Sequence, residues 1–214
     1  EKSLYRWTMH SVDGKPVAAS NGILAMVDGD LAVVPENATV IICGGLNVQH
    51  HADKRLVAWL RKIARKGPDI GAVCTGAHIL AEAGLLDGYR CTIHWENHDS
   101  FREEFADIEV TQELFEVDRN RFTCAGGTAA IDMMLSMIAK QKGSDVAAQV
   151  TDQLIHHRQR DSHERQRMEL RARLGVAHPK LLAVVSEMEK SLENPLSCAD
   201  LARQVGLSTR QLER

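Results

Sequence analysis

Short apolar runs that alternate with amphipathic stretches constrain the fold of this 214-residue chain more than any other feature. Val40–Cys43 and Ile70–Val73 have the length and composition of buried parallel strands. Residues 53–66, residues 76–83 and the stretch after Gly126-Gly127 carry apolar side chains at helical spacing. The order strand, helix, strand, helix predicts an α/β sheet with helices on both faces.

Two further segments have the pattern of β-hairpins. Leu114–Val117 and Arg121–Cys124 flank a turn at residues 118–120. Near the start, Leu4–His10 is strand-like, Asp13-Gly14 has turn composition, and the chain returns through residues 17–19. We therefore expect antiparallel pairing in both places.

Composition excludes several classes of protein. The hydrophobic fraction is 44% and the net charge is −3, which suits a globular protein and not one that coats nucleic acid. No apolar run is long enough to span a membrane and no signal peptide opens the chain, so we expect a cytoplasmic protein without a membrane partner. Because the first residue is Glu1, we expect further sequence before it.

Cysteine and histidine usage predicts neither a disulfide scaffold nor a metal site. The five cysteines are widely spaced and form no Cys-x-x-Cys pair, which favours a reducing compartment. The pairs His50-His51 and His156-His157 lack the cysteine or carboxylate neighbours of a metal site. We expect no metal and no cofactor.

One cysteine lies where an α/β protein can place a nucleophile. Cys74 falls between a predicted strand and a predicted helix, with small residues on both sides, and the helix N-terminus would favour its thiolate. His94 can serve as base or ion-pair partner, and the backbone N–H groups of Gly44-Gly45 can face an oxyanion. The alternative is that Cys74 is only a small buried residue.

The C-terminal residues predict a helix-turn-helix. The hexapeptides 196–201 and 207–212 each place a serine N-cap between an apolar residue and a leucine, and Gly206 supplies a turn between the two helix starts. The second helix would present Thr209, Arg210, Gln211 and Arg214 to DNA. The alternative is a capped helical hairpin that serves only in packing.

An arginine-rich stretch separates the two predicted parts of the chain. We therefore expect three regions: a domain at 1–158, a basic linker at 159–178, and the start of a helix-turn-helix domain at 179–214. The linker is either a solvated segment or a charged connector near a phosphate backbone.

Several motifs together give the chain a family resemblance. They are Ala72-Val73-Cys74-Thr75-Gly76, His94-Trp95, Gly126-Gly127-Thr128-Ala129 with Asp132, and the ending from His178-Pro179 to Arg214. In these the chain resembles AraC-type transcriptional regulators of the GlxA group, which carry a DJ-1/PfpI-like, glutamine-amidotransferase-like domain. The resemblance covers nearly the whole chain and implies a flavodoxin-like parallel sheet followed by a truncated AraC-type domain.

By this resemblance Cys74 occupies the elbow of the fold and His94 its histidine position. The chain departs from hydrolases of the PfpI type, because Thr75 follows the cysteine where they have histidine. The family's first strand and helix, which bring an acidic residue to the cysteine, are expected before Glu1. These departures favour a non-catalytic sensor; the alternative is a cysteine hydrolase or amidase that uses Cys74 and His94.

The resemblance also implies partners and a ligand site. The expected partners are DNA, bound through the complete C-terminal domain, a small-molecule inducer related to amino acids or quaternary amines, and a second copy of the chain. Trp95 is either a packing residue or a wall for a quaternary ammonium, and Asp132 either lines the pocket or makes a local hydrogen bond. The residues expected to bind the inducer are Gly44, Gly45, Cys74, Thr75, His94, Trp95 and Asp132.

Overall fold

The computed structural model describes residues 3–50, 53–168 and 170–213 and divides the chain into two compact units between Gln166 and Arg167. The strands of the first unit are β1 (Val17–Ala18), β2 (Leu24–Ala25), β3 (Val40–Cys43), β4 (Ile70–Val73), β5 (Arg90–Thr92), β6 (Glu109–Thr111), β7 (Phe115–Asp118) and β8 (Arg121–Cys124). Its α-helices are α1 (Lys54–Ala64), α2 (Gly76–Glu82), α3 (His98–Glu104), α4 (Ala129–Lys142) and α5 (Ser144–Gln153).

The central sheet has four strands in the order β3-β4-β8-β7. Strands β3, β4 and β8 are parallel, whereas β7 and β8 form the predicted hairpin and pair antiparallel. In this register Cys43, Val73 and Cys124 lie side by side. The carboxyl ends of the three parallel strands therefore meet at one edge of the sheet.

Helices cover both faces of the sheet, as the sequence predicts. On one face Ile42, Ile70 and Ala72 pack with Leu60 of α1 and Leu80 of α2 in one buried cluster. On the other face a second cluster joins Phe122 and Cys124 of β8 to Met133 of α4. On β4, Ile70 and Ala72 therefore enter the first cluster and Val73 packs against the second, whereas on β3 Val40 and Ile42 pack in the first cluster and Cys43 is exposed.

A second, two-stranded parallel sheet carries the His94 segment. Strands β5 and β6 pair from Arg90 with Glu109 to Thr92 with Thr111. Thr92 is fully buried; its N–H donates to Thr123 Oγ1 at 2.8 Å and its hydroxyl donates to the carbonyl of Glu113 at 2.9 Å. These bonds fix the end of β5 to the central sheet, just before His94.

The N-terminal hairpin differs from the prediction. Residues 4–9 form no strand, and His10 makes an isolated bridge to Gly29. Strand β1 pairs instead with β2, and the turn lies around Gly22, whose φ of +84° suits glycine. The alternation at Leu4–His10 was misleading because it finds no partner strand among the described residues, and Trp7 stays 81% exposed.

The second unit is helical. Its helices are α6 (Leu170–Leu174), α7 (Pro179–Lys190), α8 (Cys198–Gln204) and α9 (Thr209–Leu212). Ser197 caps α8, and Ser208 caps α9 in a full capping box in which the Gln211 amide oxygen accepts from the Ser208 N–H at 2.9 Å. Gly206, with φ of +63°, makes the turn between α8 and α9. Within the described residues, no helix is long and apolar enough to cross a membrane.

The boundary between the units differs from the prediction. Residues 159–166, expected in the linker, belong to the first unit. The physical reason is a set of specific contacts: Arg160 pairs with buried Asp132, and Gln166 donates to the Ile93 carbonyl. Neither alternative for this stretch, a solvated segment or a charged connector near a phosphate backbone, includes the buried partner that Arg160 has in Asp132.

Candidate functional site

Cys74 occupies a strained elbow directly after β4. Its φ is +57°, in the left-handed region that costs a non-glycine residue about 1–2 kcal/mol. The Cys74 N–H donates to the Cys124 carbonyl at 3.0 Å, which extends the β4–β8 ladder into the elbow, and α2 begins two residues later. The sharp turn between strand and helix is the one predicted from the small residues around Cys74.

Two glycines are required because backbone passes very close to them. A Cβ on Gly126 would lie 2.6 Å from Cys74 Cβ, and a Cβ on Gly44 would lie 2.1 Å from Gly76 N. Real Cβ atoms do not approach other atoms this closely, so neither position accepts a side chain without a backbone shift. The elbow is therefore a tightly packed junction of three chain segments.

Thr75 locks the end of β3 onto the elbow. Its hydroxyl donates to the Gly45 carbonyl at 2.6 Å. The Gly44 N–H donates to the Val73 carbonyl at 3.3 Å, so the sheet already uses the first of the two N–H groups that the sequence suggested for an oxyanion site. Gly44, Gly45, Cys74 and Thr75 do come together, in an arrangement that favours rigidity.

The thiol of Cys74 is not activated. Burial raises its pKa, the Thr75 N–H lowers it, and the negative charge of Glu96 raises it, with a net result above the usual value. The predicted lowering of the pKa by the helix N-terminus is therefore wrong, because burial is the larger effect. A thiol with a raised pKa carries little thiolate at neutral pH and is a weak nucleophile.

His94 is turned to its own segment. Its Nδ1 accepts from the Glu96 N–H at 3.4 Å and lies 3.7 Å from Glu96 Oε2. In the part of the chain that the structure describes, no hydrogen bond joins His94 to Cys74. The imidazole stands 5.6 Å from the Trp95 ring, centre to centre, and the Trp95 side chain is 41% exposed. The predicted base is present in sequence but is not paired with the predicted nucleophile.

Glu96 is a site residue that sequence reasoning missed. Its charge acts on the Cys74 thiol, and it belongs to the same short helical turn as Trp95. The segment Trp95-Glu96 therefore brings a negative charge close enough to act on Cys74, and it carries an aromatic side chain next to that charge in the sequence. The spacing Cys74…His94 drew attention to the histidine, but the acidic neighbour two residues later was also visible in the sequence.

The other thiols at this edge are no better nucleophiles. Burial raises the pKa of Cys43 and of Cys124, which end β3 and β8. Among the described residues, no group of histidine, cysteine, aspartate and glutamate side chains could hold a metal ion. His51 of the His50-His51 pair lies outside the described residues, and His156 pairs with Asp132.

Asp132 lies at the centre of a separate buried cluster. Its carboxylate is fully buried and accepts from the Arg160 N–H at 2.8 Å, from Arg160 Nε at 2.9 Å, and from His156 Nε2 at 3.1 Å. Neither His156 nor Arg160 was predicted, because their partner lies 24 and 28 residues earlier in the chain. This cluster holds residues 156–160 against α4.

Two surface cavities lie on the α4–α5 side of the unit. One, of about 310 Å³, is lined by residues of α4 and α5 and by Gln159. The other, of about 330 Å³, is lined by residues 158–162 and Glu164, with Phe115 and Ser136. Neither is lined by Cys74 or His94. The elbow is recognised by its backbone geometry.

The predicted DNA-contacting residues start α9. Arg210 is exposed and Thr209 is half-buried at the first position of the helix. The side chain of Gln211 is used by the capping box, where it also accepts from the Ser208 hydroxyl at 2.9 Å. Arg214 lies outside the described residues.

Comparison with known proteins identifies the family of the first unit. Residues 3–140 match the model of the DJ-1/PfpI family. The chain belongs to the DJ-1/PfpI family. This confirms the predicted fold class.

Similarity to regulators extends over the whole chain. The chain is 44% identical over 211 residues to the HTH-type transcriptional regulator CdhR of Pseudomonas aeruginosa. This alignment covers 99% of this chain and 63% of that protein. It is 37% identical over 215 residues to the HTH-type transcriptional regulator GlxA of Rhizobium meliloti, covering 100% of this chain and 66% of that protein. The chain thus spans less than two thirds of the length of either relative.

A solved structure supports the same grouping. An AraC family transcriptional regulator from Pseudomonas putida superposes with a TM-score of 0.63 at 28% identity, over 71% of this chain and 82% of that one. The resemblance to regulators of the GlxA group, first based on motifs, is confirmed by these similarities.

Proposed function

We propose that this chain is the sensor region of an AraC-type transcriptional regulator, together with the first helices of its DNA-binding domain. The observation that carries the proposal is the state of the elbow: its shape is complete, yet Cys74 has a raised pKa and makes no hydrogen bond to His94 in the described part of the chain. A site with binding geometry and without an activated nucleophile suits recognition better than catalysis. The relatives' regulatory names support the same conclusion.

The chemistry beside the elbow favours a cationic ligand. Trp95 offers an exposed aromatic face, and Glu96 contributes a negative charge close to Cys74. A quaternary ammonium is attracted by both, and it cannot be bound through N–H hydrogen bonds, so an aromatic face is its usual partner. The proposed inducer is therefore a small cationic amine, related to amino acids or to quaternary amines. Gly45, Thr75 and His94 complete the proposed binding edge.

The proposal includes DNA as partner, a homodimer and a cytoplasmic location. Regulators that read paired half-sites are commonly symmetric dimers. Arg210 is exposed near the start of α9 and can contact phosphate or guanine, whereas the capping box restricts Gln211. DNA binding is assigned to the full-length protein, in which further phosphate contacts add to those of α9.

A ligand series tests the sensing proposal. The melting temperature of the full-length protein would be measured with glycine, N,N-dimethylglycine, N,N,N-trimethylglycine and each of the common amino acids, because a ligand that binds only the folded state raises it. We expect at least one member to raise the melting temperature. If it is a quaternary amine, Trp95→Leu should weaken binding by about 2- to 30-fold. Trp7→Leu, at a tryptophan that is more exposed and lies far from His94 in the sequence, is the control.

A DNA-binding experiment tests the regulatory half. The full-length protein should bind a specific duplex from its own promoter region, and the affinity should fall steeply with salt. Gel shifts with no sequence preference would refute the regulator. Cys74→Ser should leave the ligand response of a promoter reporter intact, since no covalent chemistry is required; loss of the response together with turnover of an amide substrate by the wild type would favour a cysteine amidase instead.

A further inference from the structure

We propose that residues 160–166 form a detachable strap, which couples the His94 segment to the second unit. The inference rests on the proposed regulatory function and adds to it a route by which ligand binding alters output. The strap is the last segment of the first unit, because the boundary falls after Gln166. The sequence predicts these residues as part of a basic linker, and none of the motifs that carry the family resemblance includes them.

One end of the strap is fixed by charge. Arg160 donates three hydrogen bonds to Asp132, of 2.7 to 2.9 Å, and one to Thr128 Oγ1 at 2.6 Å. The carboxylate of Asp132 is fully buried, so this pair is costly to separate. The Arg160 end is therefore the permanent anchor of the strap.

The middle of the strap is added like a short strand to the connection between β6 and β7. The Leu114 N–H donates to the Ser162 carbonyl at 2.8 Å, and Glu113 and Arg165 form an antiparallel bridge. His163 Nδ1 lies 3.2 Å from Glu113 Oε2; the His163 side chain is exposed and the Glu113 side chain is partly buried. Two or three main-chain contacts of this kind hold a segment in place but are easily broken.

The far end of the strap is held by a single amide group. Gln166 Nε2 donates to Thr92 Oγ1 at 2.9 Å, to the Ile93 carbonyl at 3.0 Å and to the Glu113 carbonyl at 3.0 Å. Because two of these partners are carbonyls, only the donor end of the amide can face them. The other end, Gln166 Oε1, is buried without a hydrogen-bond partner. A buried unsatisfied acceptor weakens the docked state, so this end is the one that releases.

The position of the Gln166 amide joins the two functional parts of the chain. The carbonyl that it contacts belongs to Ile93, and the next residue is His94 of the proposed ligand site. On its other side, the peptide bond of Gln166 leads directly to Arg167 and the second unit. A ligand that reorients His94-Trp95 also moves the Ile93 carbonyl, which accepts a hydrogen bond from Gln166, and the strap then docks or releases. This gives a two-state element that ligand and DNA can both bias.

The first test removes the amide while keeping the volume of the side chain. Gln166→Met in the full-length protein should make amide exchange of residues 161–166 about five- to tenfold faster. It should also change the basal output of a promoter reporter, or its ligand dependence, by about fivefold or more. Gln149→Met, at an exposed position on α5, should change neither.

The second test locks the strap without touching Gln166. Glu113 and Arg165 stand opposite each other in an antiparallel bridge, a spacing that accepts a disulfide. The double variant Glu113→Cys with Arg165→Cys, oxidised by dithiodipyridine, should show slow amide exchange at residues 161–166. Its affinity for promoter DNA should be that of a protein whose strap stays docked. Reduction with dithiothreitol should restore wild-type exchange and affinity in the same sample. Wild type treated with oxidant and reductant controls for the native cysteines.

The outcomes separate this proposal from the proposed function. If the wild-type protein changes reporter output and the Gln166→Met strap exchanges faster without altering that output, the strap is only structural and the inference is overturned. Unchanged exchange in Gln166→Met overturns it as well, because the amide would then not hold the strap. If the wild type itself gives the same output as a strain without the gene, the regulatory function fails. Should Gln166→Met fold poorly, the locked pair decides: equal DNA affinity before and after reduction refutes coupling.

Discussion

Replacing Asp132 by alanine should destabilise the first unit strongly. The carboxylate of Asp132 is fully buried in the first turn of α4, and Arg160 and His156 donate four hydrogen bonds to it. Alanine removes the acceptor and leaves the Arg160 N–H and the His156 ring without their partner. The loss is therefore one of buried polar pairing and not of packing volume alone.

The size of the effect follows from the exposure of the partners. Breaking a buried ion pair by removing one member costs about 3–5 kcal/mol. The Arg160 side chain is 27% exposed and keeps its bond to Thr128, so water compensates part of the loss. We expect a loss at the lower end, about 3 kcal/mol, which for a domain of this size lowers the melting temperature by about 6–12 °C.

The same carboxylate gives the prediction a pH signature. Burial alone would raise the pKa of Asp132, but the Arg160 N–H, His156 and the Arg160 guanidinium together lower it below the usual value. A lowered folded-state pKa means that the stabilisation is complete above the pKa of the unfolded aspartate, near 3.9, and is lost as pH falls through the lower folded value. The difference between wild type and Asp132→Ala should therefore be constant near neutral pH and shrink only below about pH 4.

Urea unfolding followed by circular dichroism measures this difference. Asp152→Ala is the matched control, because Asp152 is an exposed carboxylate on the neighbouring helix α5. A loss for Asp132→Ala at pH 7 below about 1 kcal/mol, or equal to that of Asp152→Ala, would refute the reasoning, since one buried pair is worth more than that. A difference that stays constant down to pH 3 would show that the missing atoms, and not the missing charge, destabilise the variant.

Three further predictions concern the elbow and the C-terminal helices. Gly126→Ala should lower the free energy of unfolding by about 2–4 kcal/mol in thermal unfolding, because the new Cβ would lie 2.6 Å from Cys74 Cβ. Gly127→Ala, also at positive φ but in open space, should lower it by about 1 kcal/mol, and equal losses would contradict the close approach. Cys74 should react with iodoacetamide at pH 7 more slowly than free glutathione, since burial and Glu96 raise its pKa, and rapid labelling at pH 6 would disprove this. Ser208→Ala should remove the cap of α9 and destabilise that helix by about 1 kcal/mol. The loss should be seen as faster amide exchange in residues 209–212, and an identical effect of Thr209→Ala would argue against the capping box.

The central sheet was predictable because its strands obey a local rule. Strands of a parallel sheet tend to be short apolar runs, and β3 and β4 begin and end where the runs Val40–Cys43 and Ile70–Val73 do. The hairpin β7–β8 follows from two short segments of alternating apolar and polar residues with a polar turn between them. The elbow at Cys74 was likewise visible, because crowding between strand and helix demands small residues, and these are adjacent in sequence.

What the sequence did not reveal depends on contacts between distant residues. The pairing of Asp132 with Arg160 joins positions 28 residues apart, and no pattern near either residue indicates it. The unit boundary after Gln166 has the same origin, because the arginines of this segment look solvated until the buried carboxylate is seen. The pKa of Cys74 was predicted in the wrong direction because the helix N-terminus is visible in sequence, whereas the depth of burial is not.

The elbow combines two properties that would conflict in an enzyme. Holding Cys74 at positive φ costs free energy, and the close approach of Gly126 and the bond from Thr75 to Gly45 maintain that geometry. In a catalyst such strain positions a reactive group, but here burial and the charge of Glu96 raise the pKa of the Cys74 thiol. The strain therefore has value only if the shape itself is used. In the proposed sensor, a rigid elbow selects ligands by fit and charge. Because Ile93, whose carbonyl accepts from Gln166, directly precedes the segment from His94 to Glu96, a fit at that segment can be transmitted to Gln166 without any chemical step.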